Sequence, residues 1–124
     1  MIRSTSSEFL IFDRQVHNNG IEVRFEKGDL WVTQKALGKL FDIDRTVVTK
    51  HIKNIYDDLE LDETSTSSNF ALVQKEGNRE VNRNVTYYNL DVVISVGYRT
   101  NSDRAIQFRR WATNILKEFS KKDI

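Results

Sequence analysis

The feature that most constrains the fold is a pair of short amphipathic segments separated by only three residues. Thr33 is a good N-cap for a first helix that runs to about Phe41. Asp44 is a second N-cap, for a helix from Arg45 to about Leu59. Because the connection is so short, the two helices are expected to cross closely, as they do in a helix-turn-helix.

Small and apolar residues stand where such a crossing requires them. Gly38 lies midway along the first segment, and Ile43 places an apolar side chain in the turn. Asp42 stands where a glycine is often found, which aspartate tolerates because it can adopt left-handed conformations. The predicted inner faces of the two helices consist of Leu37, Phe41, Val48 and Ile52.

The outward face of the second helix favours nucleic acid, because the segment 45–55 contains no acid whereas an ordinary solvated helix mixes its charges. Its bases and hydroxyls suit phosphates and the base edges of a major groove. We expect Arg45, Thr46 and Thr49 to reach base edges, since the first turns of such a helix enter the groove. The predicted DNA-binding residues are Thr33, Gln34, Arg45, Thr46, Thr49, Lys50 and Lys53.

The net charge of +1 hides an uneven distribution of charge along the chain. Residues 33–56 carry five bases and two acids, and residues 57–66 carry five acids and no base. Residues 89–124 carry seven bases and four acids. A basic face can therefore coexist with a nearly neutral whole, although ordinary solvated charge explains the same counts.

Two β-hairpins are predicted, one on each side of the helical pair. The first is formed by the strand-like runs Phe9–Phe12 and Ile21–Phe25, with a turn at Lys27-Gly28-Asp29 leading into Leu30–Val32. The second joins Phe70–Lys75 to Val81–Tyr88. The acidic, Ser/Thr-rich run from Asp57 to Asn69 is predicted to be a loop.

Two further helices are predicted in the last third of the chain. Asn89 can cap a short helix from Leu90 to Tyr98, and a longer helix runs from Arg104 to about Phe119. The longer helix has the strongest periodicity in the sequence, with apolar residues at spacings of three and four. This stripe, expected to lie in the core or at a dimer contact, consists of Phe108, Trp111, Ala112, Ile115, Leu116 and Phe119.

The fold class predicted from these elements is α+β. It consists of a helix-turn-helix, two small β-hairpins and a long C-terminal amphipathic helix.

The second hairpin is a candidate wing along the phosphate backbone, although any surface hairpin carries some bases. Arginines of the last segment suit phosphate and structural ion pairs with Asp91, Asp103 or Glu118 equally well. The candidate wing or phosphate contacts are Lys75, Arg79, Arg83, Arg99 and Arg104, and Arg109 and Arg110 share the same ambiguity.

Several classes of function are disfavoured. The chain has no cysteine, and its two histidines, His17 and His51, are far apart with no carboxylate at metal-ligand spacing. The acids of residues 57–63 are sequential, as in a solvated loop, and no glycine-rich phosphate loop is present. We therefore expect no enzyme, no metal, no cofactor and no small-molecule substrate. No run is apolar enough for a membrane span or a secretory signal, so a cytoplasmic location is expected.

Four segments carry a resemblance to a known family, namely Trp31–Gln34, Phe41–Ile55, Glu60–Glu63 and above all Tyr87–Arg99. In these segments the sequence resembles the RhuM family. Members are virulence-associated proteins of bacterial genomic islands and mobile elements, and are usually described as DNA-binding. Since members are commonly longer, the resemblance implies either one domain over residues 1–124 or the N-terminal part of a longer protein. The tail Ser102–Thr113 also resembles the end of phage Bro-N and KilA-N domains, which are likewise associated with DNA.

Two functions remain open on this reasoning. The first is a sequence-specific module for double-stranded DNA, expected to be a homodimeric transcription regulator of a mobile element or virulence island. The second is a homo-oligomerising protein-interaction module that does not bind DNA and whose bases only solubilise the surface. Salt-dependent binding to random duplex DNA separates the two.

Overall fold

The computed structural model describes the backbone of residues 21–122 and the side chains of residues 21–115. The predicted strand Phe9–Phe12 lies outside the described residues, as does His17. The described elements, in chain order, are β1 (Arg24–Glu26), β2 (Asp29–Val32), α1 (Gln34–Phe41), α2 (Arg45–Asp57), α3 (Glu63–Thr66), β3 (Ser67–Glu76), β4 (Arg79–Asn89), α4 (Leu90–Arg99) and α5 (Asp103–Lys122).

The strands form one antiparallel sheet in the order β1-β2-β4-β3. Strand β2 pairs with β4 only at Trp31↔Asn89 and Val32↔Tyr88, whereas β3 pairs with β4 along the whole length of β3, from Ser67↔Tyr88 to Glu76↔Arg79. Most of the β3–β4 ribbon therefore extends beyond β2. The mixed α+β class predicted from the sequence is confirmed.

The main core lies between the sheet and the helices. Alternation along β2 sends Leu30 and Val32 into this core and Trp31 to the opposite face of the sheet. There Trp31 packs with Phe70 and Tyr87, and the guanidinium of Arg24 lies 4.5 Å from the centre of the Phe70 ring. The helical contribution to the main core comes chiefly from Leu37, Leu40, Phe41, Val48, Ile52, Ile55, Val92, Val93, Val96 and Phe108.

Side chains and backbone both fix the ends of α1 and α2. The hydroxyl of Thr33 accepts from the Ala36 N–H at 3.1 Å, and the carboxylate of Asp44 accepts from the Thr46 N–H at 3.0 Å. Between the helices Asp42 is left-handed, with φ 54°. A Cβ on Gly38 would lie 3.1 Å from the carbonyl oxygen of Ile43, so the turn passes close to the backbone of α1.

Helix α2 ends two residues before the predicted Leu59. Leu59 adopts a left-handed conformation with φ 56°, and its N–H donates to the carbonyl of Tyr56 while that of Glu60 donates to Ile55. This pair of bonds is a Schellman motif, which closes a helix and is usually made with glycine. Because a leucine occupies this position, the end of α2 could not be recognised from the sequence.

The predicted loop from Asp57 to Asn69 was wrong in its second half, since α3 begins at Glu63 and β3 begins at Ser67. The Asp62 carboxylate caps this turn by accepting from the Ser65 N–H at 3.0 Å. Thr66 is buried and its hydroxyl donates to the Asp62 carbonyl at 2.6 Å. The hydroxyl groups satisfy backbone groups here, so a polar sequence forms regular structure.

Helix α5 is anchored to α1 at its first turn. The Ser102 hydroxyl donates to the Phe41 carbonyl at 2.6 Å and accepts from the Ala105 N–H at 3.1 Å. Phe108 is fully buried, whereas Trp111 and Ile115 are half-buried, so the predicted stripe lies in the core only in part. The side chains of Leu116 and Phe119 lie outside the described ones. No helix within residues 21–122 combines the length and apolarity needed to cross a membrane.

Gly97 provides the first test of this packing. A Cβ at Gly97 would lie 2.6 and 2.7 Å from two ring carbons of Phe108 and 3.0 Å from Phe41. We predict that Gly97→Ala lowers the free energy of unfolding by about 1–3 kcal/mol, because both rings must shift. Denaturant titration measures the loss, and Asp91→Ala, at an exposed position of the same helix, is the control. A gain in stability, as helix propensity alone would give, contradicts this packing.

Candidate nucleic-acid interface

One face of α2 is buried and the other is exposed and polar. Val48, Ile52 and Ile55 point into the core. The structure brings together, on the exposed side, the five predicted α2 residues Arg45, Thr46, Thr49, Lys50 and Lys53. Within residues 21–115, Arg45 and Lys50 form no ion pair with a described acid. This face, called here the α2 face, therefore presents side chains available for an outside partner.

The two predicted residues at the start of α1 have different roles. Thr33 is half-buried and its hydroxyl is engaged as the N-cap of α1. The Gln34 amide donates to the Tyr88 hydroxyl at 3.2 Å and accepts from the Thr49 hydroxyl at 3.0 Å. Gln34 therefore connects α1 to the sheet and to the α2 face, which fixes the position of Thr49 relative to both.

Local hydrogen bonds also hold the hydroxyls of the α2 face. The Thr46 hydroxyl donates to the Asp44 carboxylate. The Thr49 hydroxyl lies 3.0 Å from the Arg45 carbonyl as well as 3.0 Å from the Gln34 amide oxygen. Bonds from the side chain and backbone of Thr46 hold the pKa of Asp44 below its usual value, so this carboxylate is ionised at neutral pH.

An open groove adjoins the α2 face along α1. Its walls include Gln34 and Gly38 of α1, the turn from Asp42 to Asp44, and Arg45. The groove also holds three bases from two elements distant in sequence, Lys35, Lys39 and Arg104. The Arg104 guanidinium donates to the Lys39 carbonyl at 2.7 Å, which places α5 beside the end of α1.

Lys35 and Lys39 were not among the predicted site residues. Their four-residue spacing puts them on one side of α1, and that spacing was a signal available in the sequence. The sequence contained no sign that Arg104 would stand beside them. The groove thus extends the basic surface of the α2 face with side chains from α1 and α5.

Lys53 is the one α2 base with an ion pair among the described residues. Its ammonium lies 3.1 Å from the Asp57 carboxylate, one turn further along the helix. Both side chains are largely exposed, so the pair contributes little to stability and can exchange for another anion.

Arg99 lies in a structural ion-pair cluster. Its guanidinium donates to the carboxylates of Glu60 at 2.9 Å and Asp58 at 3.2 Å. These bonds, led by the one to Glu60, raise the pKa of Arg99. These partners are not the acids considered in the sequence analysis, Asp91, Asp103 and Glu118. The bonds to Glu60 and Asp58 join the end of α4 to the end of α2. Arg109 similarly donates to the carbonyls of Gly97 and Thr100, at 3.0 and 2.7 Å, where α4 ends.

The bases of the β3–β4 ribbon stand close to acids. Arg83 forms an ion pair with Glu76, and Arg79 stands opposite the same Glu76 in the strand register. Lys75 stands opposite Glu80. The ribbon is therefore much less electropositive than the α2 face and its groove.

His51 lies on α2 but is half-buried. Burial lowers its pKa, and the positive charges of Arg99 and Lys50 lower it further. His51 is therefore neutral at pH 7 and adds no charge to the surface. Among the described side chains, those of residues 21–115, no three of His, Asp or Glu gather where they could hold a metal ion.

One comparison with known proteins found a match, and it covers residues 65–124. Residues 65–124 match the model of the virulence protein RhuM family. This RhuM match begins in α3 and covers β3, β4, α4 and α5, and it supports the resemblance found in the sequence. Helices α1 and α2 lie outside the RhuM match. No curated protein and no solved structure matches the chain. The resemblance of the tail to Bro-N and KilA-N domains stays a prediction.

The lowered pKa of His51 predicts how the free energy of unfolding depends on pH. Its pKa is lower in the folded chain than the unfolded value of about 6.5, so the unfolded state binds more protons between the two values. The stability contribution is complete above about pH 6.5 and is lost as pH falls through the folded pKa. We predict that His51→Gln reduces the loss of unfolding free energy between pH 7 and pH 5. His17 is present in both proteins, so its titration cancels in the difference. Parallel pH profiles would show that His51 is not buried as described.

Proposed function

We propose that this chain binds double-stranded DNA in a sequence-specific manner, with α1 and α2 acting as a helix-turn-helix. The observation that carries the proposal is the α2 face, where five basic or hydroxyl side chains are exposed together without an acid between Arg45 and Ile55. Such side chains suit both phosphates and base edges. No catalytic or cofactor role is part of the proposal.

The dimensions of α2 fit the proposed partner. Thirteen residues form a helix about 20 Å long, and a major groove about 12 Å wide admits one helix. The N-terminal turn would enter the groove first, which places Arg45, Thr46 and Thr49 against the bases. Lys50 and Lys53 would then approach phosphates. Lys35 and Lys39 of α1 would extend this contact along the DNA backbone.

The ribbon and the remaining arginines have secondary places in this proposal. A wing would use Lys75, Arg79 and Arg83, whose acidic neighbours must be displaced or tolerated by a phosphate. Arg104 borders the basic groove, whereas Arg99 is held by two carboxylates. We therefore assign the main phosphate contacts to the α2 face and the basic groove, and give the ribbon a secondary role.

The biological role rests on the family resemblance. RhuM proteins are associated with virulence and mobile elements, so we propose a cytoplasmic transcription regulator of such an element. The RhuM match supports the family resemblance over residues 65–124. The DNA-binding role itself rests on the α2 face.

Two substitutions test the division between base and phosphate contacts. Arg45→Ala should cost roughly 1–3 kcal/mol on the preferred duplex, if Arg45 reads a guanine, and much less on random DNA. Lys50→Ala should weaken binding to both duplexes and reduce the salt slope by about one. Affinities on both duplexes across a salt series measure this difference.

The matched control is Lys27→Ala, which removes an exposed base of the β1–β2 turn, where no contact with DNA or with a second copy is assigned. Melting temperatures of all variants are compared first, so that losses of folding are excluded. Equal losses for Arg45→Ala and Lys50→Ala on every DNA would contradict the division of roles. No loss for either variant would contradict the assignment of α2.

We also propose a homodimer, because one helix-turn-helix reads few base pairs and pairing doubles the site. Tyr98 on α4 and Ile106 on α5 are exposed apolar side chains that a second copy can cover. The preferred DNA should then be an inverted repeat with half-sites about 10 base pairs apart or a multiple of that. Sedimentation that shows a monomer both free and on DNA, with a non-symmetric site, would contradict the dimer.

A further inference from the structure

Thr46 and Thr49 share a property that their residue type does not reveal. A threonine hydroxyl has one proton to donate and two lone pairs that accept. Which of these faces a partner depends on where the proton is already bound. In this chain the surroundings of both hydroxyls settle that question.

The proton of Thr46 is held by Asp44. The Asp44 carboxylate accepts from both the N–H and the hydroxyl of Thr46. An ionised carboxylate has no proton to give, so the hydroxyl must be the donor in this bond. Thr46 then presents only lone pairs to the outside.

The proton of Thr49 is also held within the fold. Its two oxygen neighbours, the Arg45 carbonyl and the Gln34 amide oxygen, are both acceptors at 3.0 Å. If the Gln34 amide is turned over, its NH₂ group donates to Thr49 and the Thr49 proton goes to the Arg45 carbonyl. In either arrangement the proton is consumed and a lone pair remains for the outside.

Bases differ in what they present to such an acceptor. In the major groove adenine and cytosine each offer an amino group that donates, whereas guanine and thymine offer acceptor atoms at the corresponding edge. A hydroxyl that only accepts therefore favours adenine or cytosine and disfavours guanine or thymine. The neighbouring Arg45 has only donors and has the opposite preference.

Resting on the proposed DNA-binding function, we propose that Thr46 and Thr49 read base edges as hydrogen-bond acceptors and so select adenine or cytosine. The start of α2 then presents donors from Arg45 beside acceptors from the two threonines. This pattern complements a guanine next to, or paired with, a base that bears an amino group. Gln34 acts as a positioning residue, because its bond to Tyr88 holds the amide beside Thr49.

The experiment is selection of bound duplexes from a random library with the full chain and four variants. Thr46→Val and Thr49→Val keep the branched shape and remove the acceptor, whereas Thr46→Ser and Thr49→Ser keep the hydroxyl. We expect each valine variant to lose, by about 3- to 10-fold, a preference for adenine or cytosine at one position. The serine variants should retain that preference.

The outcomes separate failure of this inference from failure of the proposed function. A consensus in which the position affected by valine is guanine or thymine would overturn the acceptor assignment while leaving DNA binding intact. A consensus unchanged in both valine variants would overturn it as well. If the unsubstituted chain selects no duplex at all, the proposed function fails and the inference fails with it.

Discussion

The contact of Phe41 with Phe108 is the interaction on which the rest of the structure depends. The two rings meet edge to face with centroids 5.1 Å apart, and Gly97 leaves the space that both occupy. Through these residues the end of α1, the second turn of α5 and the end of α4 share one point of the core. Helix α2 packs against α1 and α4, so its orientation depends on that same point. A helix held in this way can leave its whole outer side to a partner.

The two sides of α2 divide the requirements of folding and binding. Val48, Ile52 and Ile55 supply the apolar contacts, and no residue of the α2 face belongs to the main core. Hydrogen bonds on the α2 face instead fix local geometry, through Asp44 at the helix start and Gln34 at the start of α1. These bonds engage the hydroxyl protons of Thr46 and Thr49.

Short-range chemistry made part of this structure predictable from the sequence. The caps at Thr33 and Asp44 and the place of Gly38 depend on residues within a few positions, and the periodicity of α5 needs no partner to be recognised. The RhuM resemblance, found in the sequence, is supported by the match over residues 65–124. Helical spacing alone predicted that the five side chains of the α2 face lie together.

What the sequence could not predict depends on distant residues or on unusual conformations. The helix end at Leu59 requires a left-handed leucine, and α3 requires the buried hydroxyl of Thr66. Arg99 finds its acids some forty positions away, and Arg104 reaches the carbonyl of Lys39 across the fold.

The proposal that this chain binds DNA is tested most directly by the affinity of the full chain for random duplex DNA between 50 and 200 mM salt. If the α2 face and its groove neutralise about four phosphates, log K falls against log salt with a slope of about −3.6. Absence of binding, or binding that does not change with salt, would contradict it.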